Sequence, residues 1–125
     1  MGKINASGGP YNAVHWDGQQ WELKRITYDG SPWPIRSIFA FSANDIWFDA
    51  FVRWNGTNFI QLPIPSILIG HSINKTWGTS SNDLYVVGSK GLIAYYDGSW
   101  QRLESGTDVN LTDVLGTPDG NEVWA

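Results

Sequence analysis

The chain has 125 residues, with eight Lys and Arg against 12 Asp and Glu, giving a net charge of −4. An apolar share of 42% excludes an intrinsically disordered chain, and the absence of cysteine excludes disulfides, thiolate zinc sites and a cysteine nucleophile. The basic residues are scattered and the apolar runs are short, which argues against nucleic acid and membrane as partners.

Met1-Gly2-Lys3-Ile4-Asn5 lacks the apolar core of a signal peptide, and Lys3 to Ser7 is a weak candidate for an edge strand. Residues 11–16 and 20–26 alternate apolar and polar side chains around Asp17-Gly18 and are predicted as paired strands. The segment Thr27-Tyr28-Asp29-Gly30-Ser31-Pro32-Trp33-Pro34 is predicted as a connecting loop. Four strands are then predicted at 35–42, 45–49, 51–54 and 58–62, with Asn55-Gly56 as the third turn. The stretch from Pro63 to His71 is a second connection, apolar from Ile64 to Ile69. Four more strands are predicted at 73–79, 83–87, 92–96 and 99–104, with turns at Gly88-Ser89-Lys90-Gly91 and Asp97-Gly98. Two last strands are predicted at 111–117 and 122–125. No apolar pattern recurs every 3.6 residues over a helical length, so no helix is predicted. The Asp-Gly and Asn-Gly dipeptides are expected to form tight turns with positive φ.

Self-comparison exposes two interleaved repeats. Phe39, Trp77 and Leu115 open three related segments spaced 38 residues apart, which end at Trp47, Tyr85 and Trp124. Val14-His15-Trp16-Asp17-Gly18, Val52-Arg53-Trp54-Asn55-Gly56 and Ala94-Tyr95-Tyr96-Asp97-Gly98 form the second set. An aromatic follows each of these glycines: Trp21, Phe59 and Trp100. Four short strands per unit of about 40 residues is the pattern of a propeller blade. The stretch Trp77-Gly78-Thr79-Ser80-Ser81-Asn82-Asp83-Leu84-Tyr85-Val86-Val87-Gly88, followed by Tyr96-Asp97-Gly98-Ser99-Trp100, resembles the β-propeller repeats of bacterial secreted and uncharacterised proteins. The unit from Phe39 departs from that pattern, with Ala40 for Gly and a short Phe48-Asp49-Ala50-Phe51 turn. The resemblance implies an all-β fold of four-stranded antiparallel blades, and it implies no reaction.

With strands lettered A to D from the axis outward, the chain reads as one β-propeller fragment over 1–125. Residues 11–26 supply C and D of one blade, 35–62 and 73–104 supply whole blades, and 111–125 supply A and B. Three blade equivalents are too few for a ring, since propellers close with about four to eight. The expected partner is therefore a second copy of the chain. Val14 and Trp16 of one copy would join Glu122, Val123 and Trp124 of another, making a six-bladed homodimer. A homotrimer of nine blades is the other stoichiometry. Ending inside a strand at Trp124-Ala125 suits a second reading, a truncated or engineered piece of a larger propeller.

The repeated aromatics are read as packing between blades. As a functional alternative they are sugar platforms, because short lectin chains that trimerise into six-bladed propellers carry similar Trp-Asp-Gly hairpins. Ligand contacts are sought in the connections that do not repeat, at Tyr28, at Trp33 held stiffly and exposed between two prolines, and at His71. No catalytic constellation, metal-ligand spacing or phosphate-binding loop is legible, so no enzyme activity, metal or cofactor is expected. Asp17, Asp97, Asp45 and Asp83 sit at turns and are expected to bond their own backbone.

Overall fold

A computed structural model describes residues 10–125. The edge strand expected at Lys3 to Ser7 lies outside the described residues. The chain is all-β and divides into two compact units, residues 1–36 and 37–125, taken separately below.

In the first unit, β1 (Ala13–Trp16) and β2 (Trp21–Lys24) pair antiparallel, with Trp16 opposite Trp21 and Val14 opposite Leu23. A second hairpin, β3 (Thr27–Tyr28) and β4 (Ser31–Pro32), stands where a loop is expected. Its two turn residues, Asp29 and Gly30, both have positive φ (49° and 79°), the geometry that matches the twist of the flanking strands. The buried Asn12 side chain fastens this unit. Its Nδ2 donates to the carbonyls of Ile26 (2.8 Å) and Trp33 (3.0 Å), and its Oδ1 accepts from the Ile26 N–H (2.8 Å).

The second unit holds two four-stranded antiparallel sheets and a two-stranded one. The first sheet is β5 (Ile38–Ser42), β6 (Asp45–Phe48), β7 (Val52–Trp54) and β8 (Phe59–Gln61). The second is β9 (Ile73–Ser80), β10 (Asp83–Gly88), β11 (Ile93–Tyr96) and β12 (Trp100–Leu103). In both, sequence neighbours are spatial neighbours. The third comprises β13 (Leu115–Gly116) and β14 (Val123–Trp124). Aromatic and β-branched residues fill these strands, as a pleated half-buried surface favours.

Apolar side chains between the two larger sheets form the main core. Trp47, Leu84, Val86, Leu92 and Ala94 are buried there, and Leu68 seals it from the connection between β8 and β9. A second cluster of Trp77, Val87 and Val114 lies between the second sheet and the β13–β14 side. A buried polar joint accompanies the first core. The Ser37 N–H donates to Asp49 Oδ1 (2.9 Å), the Asp49 N–H donates to the Ser37 carbonyl (2.8 Å), and the Thr76 N–H donates to Ser37 Oγ (2.9 Å). The joint takes the backbone groups of Ser37, so β5 begins at Ile38 rather than at 35.

Three further expectations need correcting. Single 3-10 turns at Ser66–Leu68 and Ser89–Gly91 occupy connections where no helix is expected. The strand expected at 111–117 contracts to Leu115–Gly116. Backbone groups before it are used elsewhere: the Leu111 carbonyl accepts from Asn74 Nδ2 (2.9 Å), and the Val109 carbonyl accepts from the Gly91 N–H (2.7 Å). The Gly turns are also looser than expected. Asp17-Gly18 and Asn55-Gly56 open four-residue loops and Asp97-Gly98 a three-residue loop, with positive φ at the glycine alone. The Asp or Asn side chain shapes each loop by accepting backbone N–H groups two or three residues on.

Candidate functional site

The two-stranded sheets carry the clearest unfinished geometry. In β9–β10, Trp77 faces Tyr85 and Gly78 faces Leu84; in β5–β6, Phe39 faces Trp47 and Ala40 faces Ile46. In β13–β14, Leu115 faces Trp124 and Gly116 faces Val123, the same register. The first unit's hairpin matches the other half of a sheet. Trp16 faces Trp21 as Trp54 faces Phe59 and Tyr96 faces Trp100. The ring pairs repeat too, with centroids 5.7, 4.8 and 5.0 Å apart.

In the two complete sheets the aromatic on the second strand is more covered: Trp47 is 2% exposed and touches Tyr96 edge-on at 5.6 Å, and Tyr85 is half-buried. Trp124, its counterpart on β14, is 75% exposed, and Trp16 on β1 is 50% exposed. Val14 is exposed on β1, whereas its counterparts Val52 and Ala94 are buried. Glu122 is exposed and Val123 is half-buried. The residues expected at a split blade are thus mostly solvent-facing apolar positions at strand edges, the arrangement that favours strand addition.

Each complete sheet also carries a cross-strand acid pair that the sequence reading assigned to turns. Arg53 Nε donates to Asp45 Oδ1 at 2.7 Å and lies 5.9 Å from the centroid of the Trp47 ring opposite it. Ser81, on the β9–β10 turn, donates to the same carboxylate and accepts from Arg53 (3.1 Å), tying the two sheets. In the second sheet the Tyr95 hydroxyl donates to Asp83 Oδ1 (2.7 Å) and Thr79 Oγ1 donates to Oδ2. The hydroxyl of Thr79, with that of Tyr95 adding to it, holds the Asp83 carboxyl below the usual carboxylate range. The carboxylate in turn pushes the Tyr95 phenol up to about 12. Asp45 and Asp83 therefore bond side chains rather than their own backbone, because each begins a strand whose neighbour brings a donor within reach. Asp17 does behave as a turn acid, and the Gln20 and Gln19 N–H groups lower its carboxyl.

The residues proposed as ligand contacts divide between the units. Tyr28 lies half-buried in β3, and Trp33, expected to be exposed, is half-buried with its carbonyl bonded to Asn12. His71, in the second unit, has Nδ1 2.9 Å from the Ser89 carbonyl, joining the β8–β9 connection to the 3-10 turn after β10. The apolar run from Ile64 splits: Leu68 enters the core while Ile64 and Ile69 stay exposed. A cleft of about 250 Å³, marked by no sequence signal, lies between Leu62, Pro63 and Pro65 and the Tyr96–Trp100 pair. No group of three or more His, Asp or Glu able to hold a metal occurs among the described residues.

No family model, curated protein or solved structure matches the chain.

Proposed function

We propose that the 125-residue chain is a non-enzymatic β-propeller scaffold that assembles with copies of itself by completing a blade between chains. One observation carries this reading: β1–β2 and β13–β14 repeat, residue for residue, the outer and inner halves of the two four-stranded sheets. A copy's β14 added to another's β1 would give the order found in both complete sheets. Two copies would make six blades, within the usual range, and three would make nine. The acids whose partners are resolved support a scaffold, since Asp17, Asp45, Asp83, Asp97 and Asp119 are engaged in turns and cross-strand bonds. Sedimentation equilibrium tests the reading with V14K, which places a charge on the exposed edge of β1. The wild type is expected to be a multimer of the 14.0 kDa chain and V14K a monomer. A wild-type monomer, or a V14K chain that associates unchanged, would overturn the proposal.

The proline-flanked aromatic cleft at Tyr96 and Trp100 supports a second reading, a sugar-binding propeller. Glycan-array binding abolished by W100A would favour it, and an array without signal would remove it.

A further inference from the structure

The two complete sheets share a three-residue device that the half-sheets carry in separate pieces. A donor on the third strand lies across from an aromatic on the second strand and reaches the acid two residues before that aromatic. In the first sheet the three are Arg53, Trp47 and Asp45; in the second they are Tyr95, Tyr85 and Asp83. The shared register assigns the same places to His15 on β1 and to Trp124 and Glu122 on the β14 side. All three are exposed, His15 with 60% of its side chain in solvent, and among the described residues Glu122 makes no ion pair within 4 Å.

We infer that these residues form a recognition device between copies, in which His15 of one chain stacks on Trp124 of another and bonds Glu122, fixing the register of the shared blade. The inference rests on the proposed ring and adds which residues select the partner edge. Val14 would then face Ala125, Trp16 would face Val123, and His15 would face Trp124. A slip by one residue would turn the apolar side chains to the opposite face. Donor–acceptor complementarity supports the pairing, a ring N–H on His15 and a carboxylate on Glu122. His15 already has Glu22 of its own hairpin 3.9 Å away, with Lys24 bonded to that carboxylate at 2.9 Å and Asp17 nearby. Glu122 would bring a third acid from the open side.

The test uses the full chain, whose lack of cysteine makes introduced pairs unambiguous. V14C/A125C places thiols on residues that face each other, within the reach of a disulfide. V14C/W124C places them one residue out of register. Expected are inter-chain disulfides in the first and none in the second. H15R, which copies Arg53, is expected to tighten assembly about two- to five-fold and E122R to loosen it by a similar factor, as for other exposed ion pairs. H15E should recover the loss in E122R, a coupling read by a double-mutant cycle. Multimers that cross-link preferentially through V14C/W124C, or show no coupling between positions 15 and 122, would overturn the device while leaving the ring standing. A disulfide within one chain would overturn it as well. A wild-type chain that remains monomeric in the same measurement would overturn the ring itself.

Discussion

Tyr95 and Asp83 illustrate how one cross-strand bond makes stability depend on pH. The folded chain holds the Tyr95 phenol at about 12, above its ordinary value of 10.0. A group whose folded pKa is raised stabilises the fold below its unfolded pKa and loses that contribution as pH rises through the folded value. The Tyr95 contribution is therefore complete below about pH 10 and is lost progressively towards pH 12. Asp83 has the opposite sign, because its lowered pKa gives a contribution that is present above 3.8 and lost as the pH falls. Y95F is expected to cost about 1.5–2 kcal/mol at neutral pH by urea denaturation, the low end for a bond to a charged acceptor because the pair is only part-buried, and to flatten the alkaline loss. An unchanged alkaline limb would contradict the assignment. In the first unit, N12A leaves the Ile26 amide and two carbonyls without their side-chain partner. A loss of about 2–4 kcal/mol is expected from unpairing several buried groups, with faster hydrogen exchange at the Ile26 amide.

Sheet segments depend on close backbone approaches as much as on side chains. A Cβ at Gly88 would stand 1.9 Å from the Ser72 carbonyl oxygen, where the chain enters β9. The obstacle is backbone that also accepts the Ser89 N–H at 3.0 Å, so it cannot swing aside cheaply. G88A is thus expected to destabilise by at least about 1–3 kcal/mol, as overpacking does, seen as a lowered Tm. An unchanged Tm would show that β9 and the 3-10 turn can separate. The strands themselves were legible in the sequence, because repeated aromatics and Asp-Gly or Asn-Gly turns mark both strands and spacing. The β3–β4 hairpin is not marked by the repeat, because residues 27–34 have no counterpart in the other units, although Asp29-Gly30 carries the same turn signal. Asp49 falls where the sequence departs from the repeat, yet its buried carboxylate accepts the Ser37 N–H and its backbone carbonyl accepts the Thr76 hydroxyl. No local pattern marks such a residue, whose partners lie 12 and 27 positions away in sequence. For the same reason no local signal marks the cross-strand bonds of Asp45 and Asp83 or the cleft beside Trp100.

At the scale of the molecule, the described residues hold two four-stranded sheets and three two-stranded ones, of which β1–β2 and β13–β14 share registers with opposite halves of the larger sheets. A chain that left both halves open would expose Trp16, Trp21, Leu115 and Trp124 at once. Burying such side chains contributes roughly 1.5–3 kcal/mol each, enough in sum to favour association over solvent exposure. The proposed assembly requires that β1–β2 of one copy join β13–β14 of another. Absolute mass by light scattering on a sizing column tests it most directly. A single species at twice the 14.0 kDa chain mass is the expected result and corresponds to six blades. A monodisperse, stably folded species at 14.0 kDa would contradict the account.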